Sequence, residues 1–137
     1  MKNSKPLPPF GYFFLLFLSL FACTPNTSPE KIGEKFYELQ RKRDFPQVLQ
    51  LCSQQAFEDN SKKEWMELFE NKFAQTGDLV MYRKLSQESG LQDSFKVIAL
   101  NYEVKYKELV LYERVVLLKE KADYKVVGYK FDPNKIQ

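Results

Sequence analysis

The side chains able to do chemistry are few, and most of them are phenols. Tyr82, Tyr102, Tyr106, Tyr112, Tyr124 and Tyr129 all fall in the second half of the chain. Beside a desolvated carboxyl group, such phenols can support proton transfer next to a carbonyl. Candidate acids are scarcer. Asp78 and Asp93 stand beside helix-end and loop signals, and Glu103 falls on the polar side of an alternating run. Glu113 is the acid set within an apolar stretch, between Leu109 and Leu118. It reads first as an edge or solvent-facing residue and second as a pocket acid. Tyr82, Tyr102, Tyr106, Glu113 and Tyr129 are therefore the candidate pocket or binding residues. The phenols read more simply as half-buried sheet residues with one wet end. No catalytic residue is assigned.

Other chemistries are excluded by composition. The 137 residues contain no His and two Cys, which removes the common zinc sets and any His-based triad. Phosphate-cradling glycine loops, dinucleotide motifs and nucleophile elbows are missing from the sequence. No cofactor or metal is implied. Glu30, Glu34 and Glu38 recur at helical spacing, but Lys31 and Lys35 lie among them, so they read as a solvated charged face. The formal charge is +3, and about +1 once Lys2 and Lys5 are set aside. Such a weak field argues against nucleic acid as a partner.

The elements that must position these residues come in two blocks. A first helix is expected from Ser28 and Pro29, with Ile32, Phe36 and Leu39 on one face and Tyr37 beside them. A second starts at Asp44, with Gln47 completing a capping box, and carries Phe45, Val48, Leu49 and a buried Cys52. The stretch from Ser53 to Phe57 is ambiguous, with Phe57 plugging the core from a loop. A third helix opens with the pair Ser61 and Glu64 and presents Trp65, Leu68, Phe69 and Phe73 before a Gly77 cap.

Strand patterns follow. Leu79 to Gln87 would place Met81 and Leu85 on one face and Val80 and Tyr82 on the other, before an exposed loop from Ser89 to Ser94. Ile98, Leu100, Tyr102, Val104 and Tyr106 give a clear period of two. Leu109 to Lys119 and Tyr124 to Phe131 complete a meander around an Ala122–Asp123 turn, with a bulge at Gly128. The fold class is α+β: N-terminal helices packed on a curved four-stranded antiparallel sheet.

The N-terminal residues read as an address. Lys2 and Lys5 precede an apolar run from Phe10 to Ala22, which is shorter than the ~20 residues a membrane-spanning helix needs. The run ends in Leu20-Phe21-Ala22-Cys23 and turns at once to Thr24-Pro25-Asn26-Thr27-Ser28. This resembles a bacterial lipoprotein signal, with Phe21 a departure from the usual small residue. The resemblance implies a signal peptide over 1–22, cleavage before Cys23, lipidation of Cys23 and a tether over 23–28. The partner would be membrane lipid through acylated Cys23. Thr24 in place of an aspartate would direct the protein to the outer membrane, facing the periplasm. The alternative is a retained hydrophobic anchor.

The remainder, 29–133, reads as a single domain. Its helix order, the Ser61 to Trp65 opening, and a last hairpin running from Val116-Leu117-Leu118-Lys119-Glu120 to Tyr124-Lys125-Val126-Val127-Gly128-Tyr129 resemble the NTF2-like, cystatin-like cone superfamily. Tyr124 stands where Trp is usual. More narrowly, the chain is similar to lipid-anchored domains of unknown function in that group. The resemblance implies a cone-shaped α+β domain, and that superfamily hosts isomerases, dehydratases, adaptors and inert scaffolds. The expected function is a lipid-anchored cell-envelope accessory or interaction module, without catalytic activity, docking an envelope protein. A binder of a small apolar ligand in the cone pocket is the alternative, and an isomerase-type enzyme the third reading.

Overall fold

The computed structural model describes residues 27–134. The expected signal peptide and Cys23 lie outside the described residues. Four helices precede four strands among those described: α1 (Pro29–Arg41), α2 (Phe45–Gln50), α3 (Ala56–Asp59), α4 (Lys62–Thr76), then β1 (Leu79–Gln92), β2 (Phe95–Tyr106), β3 (Val110–Glu120) and β4 (Asp123–Asp132). The sheet is an antiparallel meander in the order β1-β2-β3-β4. The α+β reading is correct.

The helix starts follow from their caps. The Ser28 side chain accepts from the Lys31 amide, with Pro29 opening α1. Asp44 accepts from the Gln47 amide, and the Gln47 side chain donates back to the same carboxylate. Ser61 and Glu64 form a reciprocal capping box on α4. Gly77 ends α4 at φ 74°, where a Cβ would be strained and would stand 3.0 Å from that of Lys107. The stretch left ambiguous contains α3, and the Trp65 indole N–H donates to the Ala56 carbonyl at 3.0 Å, tying α3 to α4.

The inner sheet face carries Leu100, Tyr102, Val104 and Tyr106 from β2, with Leu111, Glu113, Val115 and Leu117 from β3, all buried. The helices cover this face with Phe36, Tyr37, Val48, Trp65, Phe69 and Phe73. Close approach of α1 requires Gly33, because a Cβ there would stand 2.1 Å from the Tyr102 hydroxyl and 2.9 Å from Leu100. Gly128 sits at the irregularity between the Val116 and Leu117 pairings, as the strand pattern predicts.

Several expectations are corrected. β1 runs to Gln92, and Ser89 and Gly90 are paired strand residues. Its hairpin closes over Asp93 and Ser94, both at positive φ, the backbone of a tight two-residue turn. The expected alternation in β1 fails: Val80, Met81 and Leu85 are exposed, Leu79 is buried and Tyr82 half-buried. Two register shifts, after Leu79 and after Lys84, reset which face each residue points to. Leu68 is exposed rather than part of the inner stripe of α4. The last turn falls on Lys121 and Ala122, with Asp123 already in β4.

Cys52 is buried beside Val48 and bridges toward Val126 of β4. Burial pushes its thiol up to about 12, with Lys125 opposing weakly. Little thiolate exists near neutral pH. Cys52 is therefore expected to react with thiol reagents at the rate of unfolding. Labelling in native buffer should be slow and should become immediate in denaturant, and fast native labelling would contradict the packing.

Candidate functional site

The inward-facing polar residues converge on one point in the core. Lys72 comes from the inner face of α4, between Phe69 and Phe73, and its side chain is wholly buried. Its ammonium donates to Gln40 Oε1 of α1 at 2.6 Å, to the Tyr106 hydroxyl of β2 at 2.7 Å and to the Tyr129 hydroxyl of β4 at 2.7 Å. The Glu113 carboxylate of β3, also wholly buried, stands 3.6 Å away. Tyr106 donates to Glu113 Oε1 at 2.6 Å, and Tyr129 donates to Oε2 at 2.7 Å. Each phenol thus accepts from the cation and donates to the anion. All three ammonium protons are used, and both carboxylate oxygens accept.

Aromatic rings enclose the pair. Lys72 Nζ lies 5.0 to 5.7 Å from the ring centres of Phe69, Phe73, Tyr106, Tyr129 and Phe131. The ring faces add attraction for the cation. Desolvation nonetheless lowers the Lys72 ammonium to about 8, with the Glu113 charge holding it up. Burial, then the Glu113 charge, pushes the Tyr106, Tyr129 and Tyr37 hydroxyls well above their ordinary value. The three phenols therefore keep their protons near neutral pH, whereas the Lys72 ammonium titrates close to it but is sealed from solvent.

The five candidate residues divide into two groups. Tyr106, Glu113 and Tyr129 meet at Lys72. Tyr82 and Tyr102 instead pack around Tyr37, the first stacked with its ring centre 5.0 Å away and the second tilted at 4.6 Å. The Tyr82 hydroxyl donates to Glu38 at 3.0 Å, and burial followed by that bond pushes it up to about 12. The first reading of Glu113, as an edge or solvent-facing residue, is overturned. Strand β3 is interior to the sheet, and the phase set by Leu111, Val115 and Leu117 turns Glu113 inward. Asp78 is exposed and pairs with Arg43 at 2.6 Å, while Glu103 pairs with Arg83 at 2.9 Å.

Lys72, Gln40 and Tyr37 are the participants the sequence reading missed. The signal was present: Lys72 follows Phe69 by three residues, and Gln40 follows Phe36 by four, so each occupies an apolar-stripe position. Two buried polar atoms, the Tyr37 hydroxyl and Gln40 Nε2, have no hydrogen-bond partner among the described residues. Lys72 dictates the orientation of the Gln40 amide, because only its oxygen can accept from an ammonium.

Rings fill the space between sheet and helices. Phe36 packs edge-on to Tyr37 at 5.4 Å and against Tyr129 at 5.2 Å, and Phe45 stacks on Phe69 at 5.4 Å. A groove of about 270 Å³ is bordered by Leu85, Ser86, Glu88, Asn101, Tyr102, Tyr112 and Glu113. Because the Glu113 side chain has no exposed surface, its carboxylate is not offered to that groove.

A curved antiparallel meander with helices on its inner face defines the NTF2-like fold, and solved structures agree. A Thiobacillus denitrificans protein described as a calcium/calmodulin-dependent protein kinase type II association domain superposes with a TM-score of 0.57 at 10% identity, covering 79% of this chain and 96% of that one. Bdellovibrio bacteriovorus Bd1075 superposes with a TM-score of 0.54 at 12% identity, covering 79% of this chain and 40% of that longer one. At these identities the likeness shows the fold alone. No family model matches the chain, and no curated protein sequence does. Among the described residues, no helix is long and apolar enough to cross a membrane.

Proposed function

We propose that this chain is a lipid-anchored module of the cell envelope, attached through Cys23, which docks an envelope protein and carries out no catalysis. One observation carries the non-catalytic part. The charged side chains inside the cone are bonded to one another and closed off from solvent, with Lys72 and Glu113 both fully buried. A substrate would meet none of them. The anchor is supported by the order of basic residues, apolar run, Leu20-to-Cys23 motif and polar tether.

Docking is supported by the outer edge of β1. This 14-residue strand lies at the sheet margin, and it exposes Val80, Met81 and Leu85. A free strand edge offers unpaired backbone groups to a partner chain. Two measurements test the reading. The intact mass of membrane-extracted protein should show cleavage before Cys23 plus acyl groups, and Cys23→Ser should lose them. A photo-crosslinker at Leu85 should trap one specific envelope protein in intact cells, whereas one at exposed Lys63 of α4 should not. An unmodified full-length mass would overturn the anchor, and equal trapping from both positions would overturn the docking edge.

A further inference from the structure

The point where the chain enters the domain has a fixed place. Thr27 Oγ1 lies 3.5 Å from Asp123 Oδ1, beside the turn between β3 and β4. At that length the contact is weak as a hydrogen bond, but it locates the start of the domain. Four residues lead from Cys23 to Thr27. An extended chain covers at most ~3.6 Å per residue, so four residues can reach no more than ~14 Å from Thr27, which keeps the attachment point near this turn.

The first hairpin turn stands at the same end as the third. Val97 of β2 pairs with Leu118 of β3, and the Asp93–Ser94 and Lys121–Ala122 turns each begin three residues beyond that pair. Leu91 and Phe95 flank the first turn and are 74% and 50% exposed. Leu91 shares a groove of about 540 Å³ with Lys96, Lys119 and Tyr124. Exposed apolar residues also occur at the opposite end, at Leu109 and Val110. Apolar exposure therefore does not choose between the two ends, and the position of the tether does.

We infer that this end of the domain docks on the phospholipid surface that holds Cys23, with Leu91 and Phe95 inserted at the headgroup–acyl boundary. The inference rests on the proposed lipidation of Cys23. Single-point anchoring concentrates the turns near the bilayer, so even a small apolar tip inserts without paying for a separate encounter. Lys96 and Lys119 can lay their stems along the apolar surface and keep their ammonium groups among the headgroups. Lys121 and Lys125 stand nearby, but Asp93, Glu120 and Asp123 share this end, so its charge is nearly balanced. Docking should accordingly depend on apolar insertion and respond little to salt.

The test uses mature, lipidated protein in phosphatidylcholine vesicles whose acyl chains carry bromine. A tryptophan is placed at the proposed contact, Phe95→Trp, or at the far end, Val110→Trp. Trp65 is buried and supplies a constant background. Bromolipid should shift the Phe95→Trp emission to the blue and quench it, and should leave Val110→Trp at background. In a second variant, Leu91→Ser in the Phe95→Trp background, that quenching should fall. Absent quenching at position 95, or equal quenching at both positions, overturns the docking geometry. The intact mass of each sample separates the two failures. With acyl groups present, absent quenching removes this inference alone, and an unmodified Cys23 removes the anchor and the docking with it.

Discussion

Lys72→Met is expected to destabilise the fold by about 3–5 kcal/mol, the cost of leaving one member of a buried ion pair uncompensated. Glu113 would keep its two phenol donors but lose the cation that stands 3.6 Å from it with no exposed surface. Methionine fills the space between Phe69, Phe73 and Tyr106, so the loss would come from the three hydrogen bonds of the ammonium and the stranded Glu113 carboxylate, net of the desolvation that Lys72 no longer imposes, rather than from a packing defect. Glu113→Leu should be damaging for the mirror reason, because Lys72 would be left desolvated among rings. The two effects should not add. The Lys72→Met, Glu113→Leu double variant removes both charges, so it should be more stable than the sum of the singles indicates. It should still fall short of the parent, because Tyr106, Tyr129 and Gln40 would lose their partners. Adding Tyr106→Phe and Tyr129→Phe should recover more, since hydroxyls without acceptors are costly to bury. Denaturant midpoints for the series decide it. Single variants that cost under ~1 kcal/mol would show that the cluster is not a closed unit.

Stability should also depend on pH above neutrality with two opposite signs. Lys72 titrates at about 8 in the fold against its ordinary 10.5. A lysine depressed in this way burdens the fold while protonated, so its cost is fully present below pH 8 and is relieved as pH rises toward 10.5. Tyr37, Tyr106 and Tyr129 act the other way. Their hydroxyls are raised well above 10.0 in the fold, so the unfolded chain loses those protons first. The stability they protect is intact below about pH 10 and is lost above it. One proton difference gives ~1.4 kcal/mol per pH unit, so three buried phenols give a fall of about 4 kcal/mol per unit. The expected profile is a shallow rise from pH 8 followed by steep unfolding above pH 10. With Tyr112→Phe and Tyr124→Phe removing half-buried phenols outside the core, tyrosinate absorbance should appear together with loss of structure, and Lys72→Met should abolish the rise alone. Smooth tyrosinate formation in a still-folded protein would place these phenols in solvent and reject the sealed core.

Local chemistry made much of this fold readable in advance. The caps at Ser28, Asp44 and Ser61 depend on residues three positions apart, and each is formed. The alternation of Leu100, Tyr102, Val104 and Tyr106 is a property of one strand, and all four are buried. In β1, by contrast, two bulges reversed the facing of residues that alternated plausibly on paper. A bulge arises from pairing with β2, so no window within β1 reveals it.

The candidate site divides along the same line. Tyr106, Glu113 and Tyr129 were identified from their positions in strands, but their counter-ion was not. Lys72 lies 41 positions before Glu113 in the chain. A lysine between Phe69 and Phe73 reads as a polar interruption until the sheet is folded against α4.

By itself the sequence determined three of the four helices, the four strands and their order, the caps and the buried face of β2, because each depends on neighbours within a turn or two of the chain. Only the tertiary structure decided that Glu113 points inward, that Lys72 meets it, and that the first and third hairpin turns stand at the end where Thr27 lies beside Asp123. The physical reason is that an ion can be buried only when its partner is brought to it, and here α1, α4, β2, β3 and β4 must all be in place before the ammonium and carboxylate are satisfied.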